Sequence, residues 1–356
     1  MNIECNVCEC KMNSLLNLNS HPFNSKYTKY CNFLDYNPLH INNESNYPLH
    51  LYYCINCYHI QLDYNIPHEY IENIENSFIS KEIVIYFILR LYNLNLNVNF
   101  DKINILHVGT KNNIIELLLN DINLHTNITS CITFDCLDLK KNSTFDIIIL
   151  ENHCNMNNIK YLMNENSILF INSPILLNTR NNVNIISHDN LNYYNTNSMN
   201  LICAKNNLIL NSVVNNSIFE ITLRKTADSN IIQSLFNEEK LGFYINKTYL
   251  NYELNILNYK NNFHNKLIGY KLENKRILGI GSNSNTLLNM CNINYNIIDY
   301  IINTDTDTDY VNLHTPKSNL LLFDIKTINK ITKDTIIVTF DNYKKVFITF
   351  TELRKA

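Results

Sequence analysis

An α/β architecture, with a small cysteine-held module ahead of two parallel-sheet units, is what the sequence predicts. Three observations carry that expectation. Two Cys-x-x-Cys pairs fall within the first 57 residues, strand and helix patterns alternate from residue 104 to 174, and a second such cycle begins at Arg276. The chain has 356 residues, room for two or three domains, and 46% hydrophobic residues to fill their cores.

The first element is the cysteine module. Cys5-Asn-Val-Cys8 and Cys54-Ile-Asn-Cys57 each have the two-residue spacing that lets both thiolates reach one ion. Two such knuckles make a closed tetrahedral zinc site, structural rather than catalytic, because no coordination position is left open. Cys10 and Cys31 are additional thiols, and in a slipped register Cys10 could take the place of Cys8. The long spacer between the knuckles calls for a small subdomain.

A helix is expected over Phe78–Leu94, with Ser80 as N-cap and Glu82 in its first turn. Strands follow at Asn104–Val108, Ser130–Phe134, Phe145–Leu150 and Ile168–Asn172, with helices at Asn112–Leu119 and Asn157–Met163. That rhythm implies a mostly parallel sheet with helices on both faces. Ser217–Arg224 reads as a further strand, and Ser229–Lys240 and Lys247–Leu272 as helices. The second cycle comprises strands at Arg276–Ile280, Ile297–Ile302, Leu320–Phe323 and Thr335–Phe340, with a helix at Asn283–Cys291. The expected organisation is a zinc module at 1–66 and two Rossmann-like α/β domains at 67–225 and 226–356.

Composition excludes several classes. Lys and Arg number 29 against 32 Asp and Glu, so there is no basic footprint for nucleic acid. The longest apolar run, Ile83 to Leu89, is far short of a membrane span, and the first residues have no signal-peptide pattern. Asn makes up roughly a fifth of the chain, far above ordinary usage. That bias fits an AT-rich genome, such as a giant virus or protist, and most Asn residues read as surface filler. A cytoplasmic setting (the host's, if viral) is expected. Gly numbers only 5, little for backbone that must approach a phosphate or cofactor closely.

Other patterns fall short of a site. Asp305-Thr-Asp307-Thr-Asp309 begins like a calcium loop, but Tyr310 and Pro316 stand where Gly and Glu are needed. Gly279-Ile-Gly281 is a fragment of a dinucleotide turn without its third glycine.

Longer stretches carry a resemblance. The knuckles together with LNLNSHPFNSKY (16–27) and YPLHLYYCINCYHIQL (47–62) resemble the sugar C-methyltransferases. So does NKRILGIGSNSNTLLNMCNINYNIIDYII (274–302), with TPKSNLLL (315–322) and TFDNYKKV (339–346) at later landmarks. The resemblance implies the zinc module, a methyltransferase domain and a second Rossmann-like domain, in that order. It also implies S-adenosylmethionine as methyl donor and a nucleotide-linked keto-deoxysugar as substrate.

The donor turn of that family aligns with ILHVGTKNNIIELL (105–118), which makes His107, Gly109 and Thr110 the implied donor contacts. His107 stands at the acidic position and Asn113 at the second glycine. The family's Tyr-His-Glu-His cluster aligns with Ser187, His188, Asp189 and Asn190. The implied acid–base residues are therefore His188 and Asp189, with His153 three residues before Met156, where a further family His falls. The tyrosine-rich substrate segment aligns with Ile74–Ser80, which has no Tyr. A catalytic methyltransferase and a non-catalytic, zinc-stabilised scaffold that binds a nucleotide sugar or a protein partner are both open on these residues.

Overall fold

The computed structural model describes residues 3–22, 28–29, 46–63, 103–108, 126–131, 144–151, 159–174, 186–188, 190–214, 218–224, 230–281, 285–303, 313–315, 317–318, 320–324, 335–339 and 347–349. The helices expected at Phe78–Leu94 and Asn112–Leu119 lie outside these residues.

The described strands of the first half are β1 (Met12–Pro22), β2 (Thr28–Lys29), β3 (Asn46–Cys54), β4 (Ile60–Leu62), β5 (Ile103–Val108), β6 (Thr126–Cys131), β7 (Phe145–Glu151), β8 (Met163–Asn172) and β9 (Asn192–Tyr193). Helix α1 (Thr196–Lys205), strands β10 (Ile209–Val214) and β11 (Ile218–Thr222), and helices α2 (Ile231–Lys240), α3 (Asn246–Leu250) and α4 (Tyr252–Leu272) follow. The chain continues through β12 (Arg276–Ile280), α5 (Asn285–Met290), β13 (Tyr300–Asn303), β14 (Leu313–His314), β15 (Leu322–Asp324), β16 (Thr335–Thr339) and β17 (Phe347–Thr349). The chain divides into two units: Met1–Ser14, Leu51–Asn178 and Asp189–Tyr249 form one; Leu15–His50, Thr179–His188 and Leu250–Ala356 form the other.

The first unit is built on a six-stranded sheet in the order β10-β11-β8-β7-β5-β6. Strands β6, β5, β7 and β8 run parallel, and β11 and β10 close the edge as an antiparallel hairpin. Apolar runs explain the centre. Ile147 to Leu150 and Leu169 to Ile171 are buried on successive residues, as strands covered on both faces must be. The expected helix at Asn157–Met163 is only a 3-10 turn at Ile159–Leu162, because β8 starts at Met163 and takes up the chain. Strand β6 begins four residues before its expected start at Ser130, on the polar segment Thr126–Cys131.

The sheet has a switch point. The chain leaves β5 for β6 on one side and returns to β7 on the other. The crevice outside the carboxyl ends of β5 and β7 is where open α/β sheets take ligands.

The second unit repeats the plan. Its five-stranded sheet has the order β15-β13-β12-β16-β17, parallel except for β17. The expected long helix at Lys247–Leu272 is interrupted at Asn251, giving α3 and α4. Gly281, directly after β12, has φ 137°, a conformation that favours glycine, and it donates to the Ile302 carbonyl at 3.1 Å.

Helix ends explain how so few glycines suffice. After α1, α4 and α5 the left-handed residue is Asn207 (φ 54°), Asn274 (φ 55°) and Asn292 (φ 53°), and only α2 uses a glycine, Gly242 (φ 80°). Each carries the paired bonds of a Schellman turn, for example Lys275 N–H to the Tyr270 carbonyl and Asn274 N–H to that of Lys271, both at 2.9 Å. Asn tolerates this backbone better than other side chains do. The abundant Asn is thus partly structural rather than surface filler.

Candidate functional site

The two knuckles fold alike, residue for residue. Glu9 N–H donates to the Cys5 carbonyl at 2.8 Å, and Tyr58 N–H to that of Cys54 at 2.9 Å. Cys5 N–H reaches the Cys10 carbonyl at 2.9 Å, and Cys54 N–H the His59 carbonyl at 2.9 Å. Both turns need a left-handed residue after the second cysteine, and Glu9 (φ 63°) and Tyr58 (φ 58°) supply it without being glycine. Inside the second loop an amide points at sulfur: Asn56 N–H donates to Cys54 Sγ at 3.4 Å.

The four sulfurs converge. Those of Cys5, Cys8, Cys54 and Cys57 all lie within 4.8 Å of one another, with Cys5–Cys57 at 3.6 Å and Cys8–Cys54 at 3.4 Å. A tetrahedral zinc with bonds of about 2.3 Å needs sulfurs about 3.8 Å apart, so the set fits one such ion. The hydrogen bond with Cys57 draws the Cys5 thiol down to about 6, and the same contact pushes Cys57 up. Burial raises Cys54 to about 11. The thiols thus compete for charge, and they cannot all ionise at neutral pH without a cation between them.

Polar side chains brace the centre, and the sequence reading passed over them. Asn195 caps α1 in a reciprocal box with Ser198 and donates its amide to the Tyr58 carbonyl at 2.7 Å. Gln61 accepts from Asn6 N–H at 2.9 Å and donates to the Glu4 carbonyl at 3.1 Å, tying one knuckle to the other. His59, fully buried, contacts Asn192 Oδ1 through Nε2 at 3.1 Å and stacks on Tyr194 at 4.7 Å. Glu238 is buried and accepts from Thr196 N–H (2.9 and 3.0 Å), Thr196 Oγ1 (2.7 Å) and the Tyr244 hydroxyl, so it holds the start of α1. The one signal for these was the Asn195–Ser198 spacing of a helix cap.

Of the implied donor contacts, His107 falls at the β5–β7 switch point. His107 is buried in β5, one residue before its end, paired with Ser130 of β6 and Ile149 of β7. Gly109, Thr110 and Asn113 lie outside the described residues, as do His153, Met156, Asp189 and the Ile74–Ser80 segment.

In the second unit, His188 is 1% exposed, and its Nε2 lies 3.2 Å from both the Tyr47 and the Pro48 carbonyl oxygens. A ring nitrogen between two carbonyls carries a proton and donates it. Burial lowers the pKa of His188, so the ring is neutral at neutral pH. Burial first, then the nearby Lys317 charge, brings His21 down to about 4.

Residues 218–352, from β11 through β17, match the C-methyltransferase C-terminal domain family. That match supports a methyltransferase relationship. No curated protein matches the chain. A solved structure of coclaurine N-methyltransferase bound to N-methylheliamine and SAH is similar over 65% of this chain and 72% of that one, at 12% identity and a TM-score of 0.23. A likeness that loose carries no argument. Among the described residues, no helix is long and apolar enough to cross a membrane.

Proposed function

We propose that the chain is an S-adenosylmethionine-dependent C-methyltransferase acting on a nucleotide-linked keto-deoxysugar, with one structural zinc held by Cys5, Cys8, Cys54 and Cys57. The observation that carries the methyltransferase reading is the family match across residues 218–352. The convergent thiols support the zinc reading. The thiols need a reducing setting to stay available, which favours the cytoplasm.

In this reading the metal leaves no open coordination position and cross-links the two knuckles. The methyl donor, when bound, supplies an electrophilic methyl group. His107, Gly109 and Thr110 would hold it at the end of β5, in the crevice that the switch point forms. Proton removal beside the ketone falls to His188, Asp189 and His153.

One observation favours the second reading, a non-catalytic scaffold. His188 is buried and spends its Nε2 proton on the Tyr47 and Pro48 carbonyls, a satisfied structural arrangement. Isothermal titration of S-adenosylmethionine into zinc-loaded protein separates the two. Micromolar binding, followed by label transfer to a nucleotide-linked keto-sugar, supports the enzyme. No binding at millimolar donor removes it and leaves the scaffold.

A further inference from the structure

Helix α1 meets both knuckles. Its buried Met199, Ile202 and Cys203 share a core cluster with Cys5, Cys54 and Cys57. At its carboxyl end Lys205 pairs with Glu9, the left-handed residue of the first knuckle, on the exposed surface. At its amino end the contact is buried and falls on the second knuckle. Asn195, 4% exposed, donates its side-chain amide to the Tyr58 carbonyl at 2.7 Å and to the Cys57 carbonyl at 3.4 Å. Asn197 adds a second donor to the Cys57 carbonyl at 3.4 Å.

The two carbonyls belong to the peptides on either side of the Tyr58 Cα. Holding both fixes the backbone of Tyr58, the left-handed residue of its knuckle (φ 58°), a conformation that a bulky side chain disfavours. It also fixes the direction from which Cys57 leaves the turn. The other end of the Asn195 side chain does different work. Its Oδ1 accepts from Ser198 N–H at 2.8 Å as the cap of α1. One buried side chain thus carries two separable contacts, an acceptor for the helix and a donor for the knuckle.

We propose that Asn195 is a positioning residue of the metal centre: its amide holds the Cys57–Tyr58 turn in the ion-binding conformation, and this donor, rather than the helix cap, sets the zinc affinity. The inference rests on the zinc reading of the four cysteines. Without the donor, the metal-free knuckle spreads over other turns, and binding has to reorder it. Removing an outer-shell partner of a metal site typically costs about 10–100-fold in affinity.

Zinc affinity of the full chain, measured by competition with a chromogenic chelator, tests this beside urea unfolding of the zinc-loaded protein. Wild type, Asn195→Ser and Asn195→Ala are compared. Serine keeps an oxygen for the Ser198 N–H and loses the amide, whereas alanine loses both. Both variants are expected to bind zinc about tenfold more weakly and to release it faster. Alanine is expected to have the lower urea midpoint of the two, with the same zinc affinity. Wild-type affinity in the serine variant, or a larger loss of affinity in alanine than in serine, overturns the proposal. Failure of the wild type to bind zinc at all instead removes the metal reading beneath it. Should serine and alanine variants not fold, Asn195→Asp, which keeps the shape and the cap oxygen, is read in their place. Zinc binding weakened about tenfold or more supports the proposal, and wild-type affinity overturns it.

Discussion

The cysteine centre and His188 are both buried polar groups that the sequence singled out, yet they differ in what the fold leaves for them to do. The four thiols face one another, with the Asn56 amide behind one of them. His188 has its Nε2 proton already taken by two carbonyl oxygens. A cluster of like-charging groups is costly until a ligand arrives. A histidine donating to backbone is already satisfied. Burial alone therefore does not mark a working residue; unspent hydrogen-bonding and charge capacity does.

The largest effect should come from the cysteine centre. Replacing Cys57 with Ser, or stripping zinc with a chelator, should lower stability by more than about 4 kcal/mol, the stabilisation given by a ligand at a thousandfold its Kd. Urea unfolding with and without zinc measures it, and an unchanged midpoint would break the contrast from the metal side. Next is Glu238→Ala, which strips an acceptor from Thr196 and Tyr244 and should cost about 3 kcal/mol.

His188→Ala should cost about 1–2 kcal/mol through the two carbonyls it abandons, and leave donor binding unchanged. A loss of donor affinity with stability intact would break the contrast from the histidine side. Acid should act through the same buried rings. Burial, first among the causes, lowers His21 and His59 from 6.5 to about 4. The unfolded chain then binds more protons, so these rings' contribution is present above pH 6.5 and is lost as pH falls toward about 4. Stability of a His21→Gln variant against pH, compared with wild type, isolates one of them.

The smallest effect concerns the knuckle turns. Glu9→Gly should gain about 1 kcal/mol by relieving a left-handed non-glycine residue, since its exposed pair with Lys205 contributes little. Tyr58→Gly should gain less, because Tyr58 also packs on Tyr244 and Tyr249.

What the sequence made legible was what is encoded locally. The Cys-x-x-Cys spacing located the four thiols, and short, mainly apolar runs located β5, β7, β12 and β16 to within about two residues. What it hid depends on partners distant in the chain. Strand β6 is polar, and its pairing with β5 rather than its composition makes it a strand. Helix α1 and strand β10 run through Asn-rich sequence with weak periodicity, and Glu238, 42 residues from Thr196, supplies the acceptor at the start of α1. Asn192, Asn195 and Asn211 are buried, whereas an Asn excess read from composition points to the surface. At helix ends Asn207, Asn274 and Asn292 do the work of glycine, which composition alone does not reveal.

Metal analysis with zinc-edge X-ray absorption on the purified full chain tests the central claim most directly. One zinc per chain, with four sulfurs at about 2.3 Å and no lighter ligand, is the expected result. Protein that is folded and free of metal, or zinc bound with oxygen or nitrogen in its shell, would contradict it.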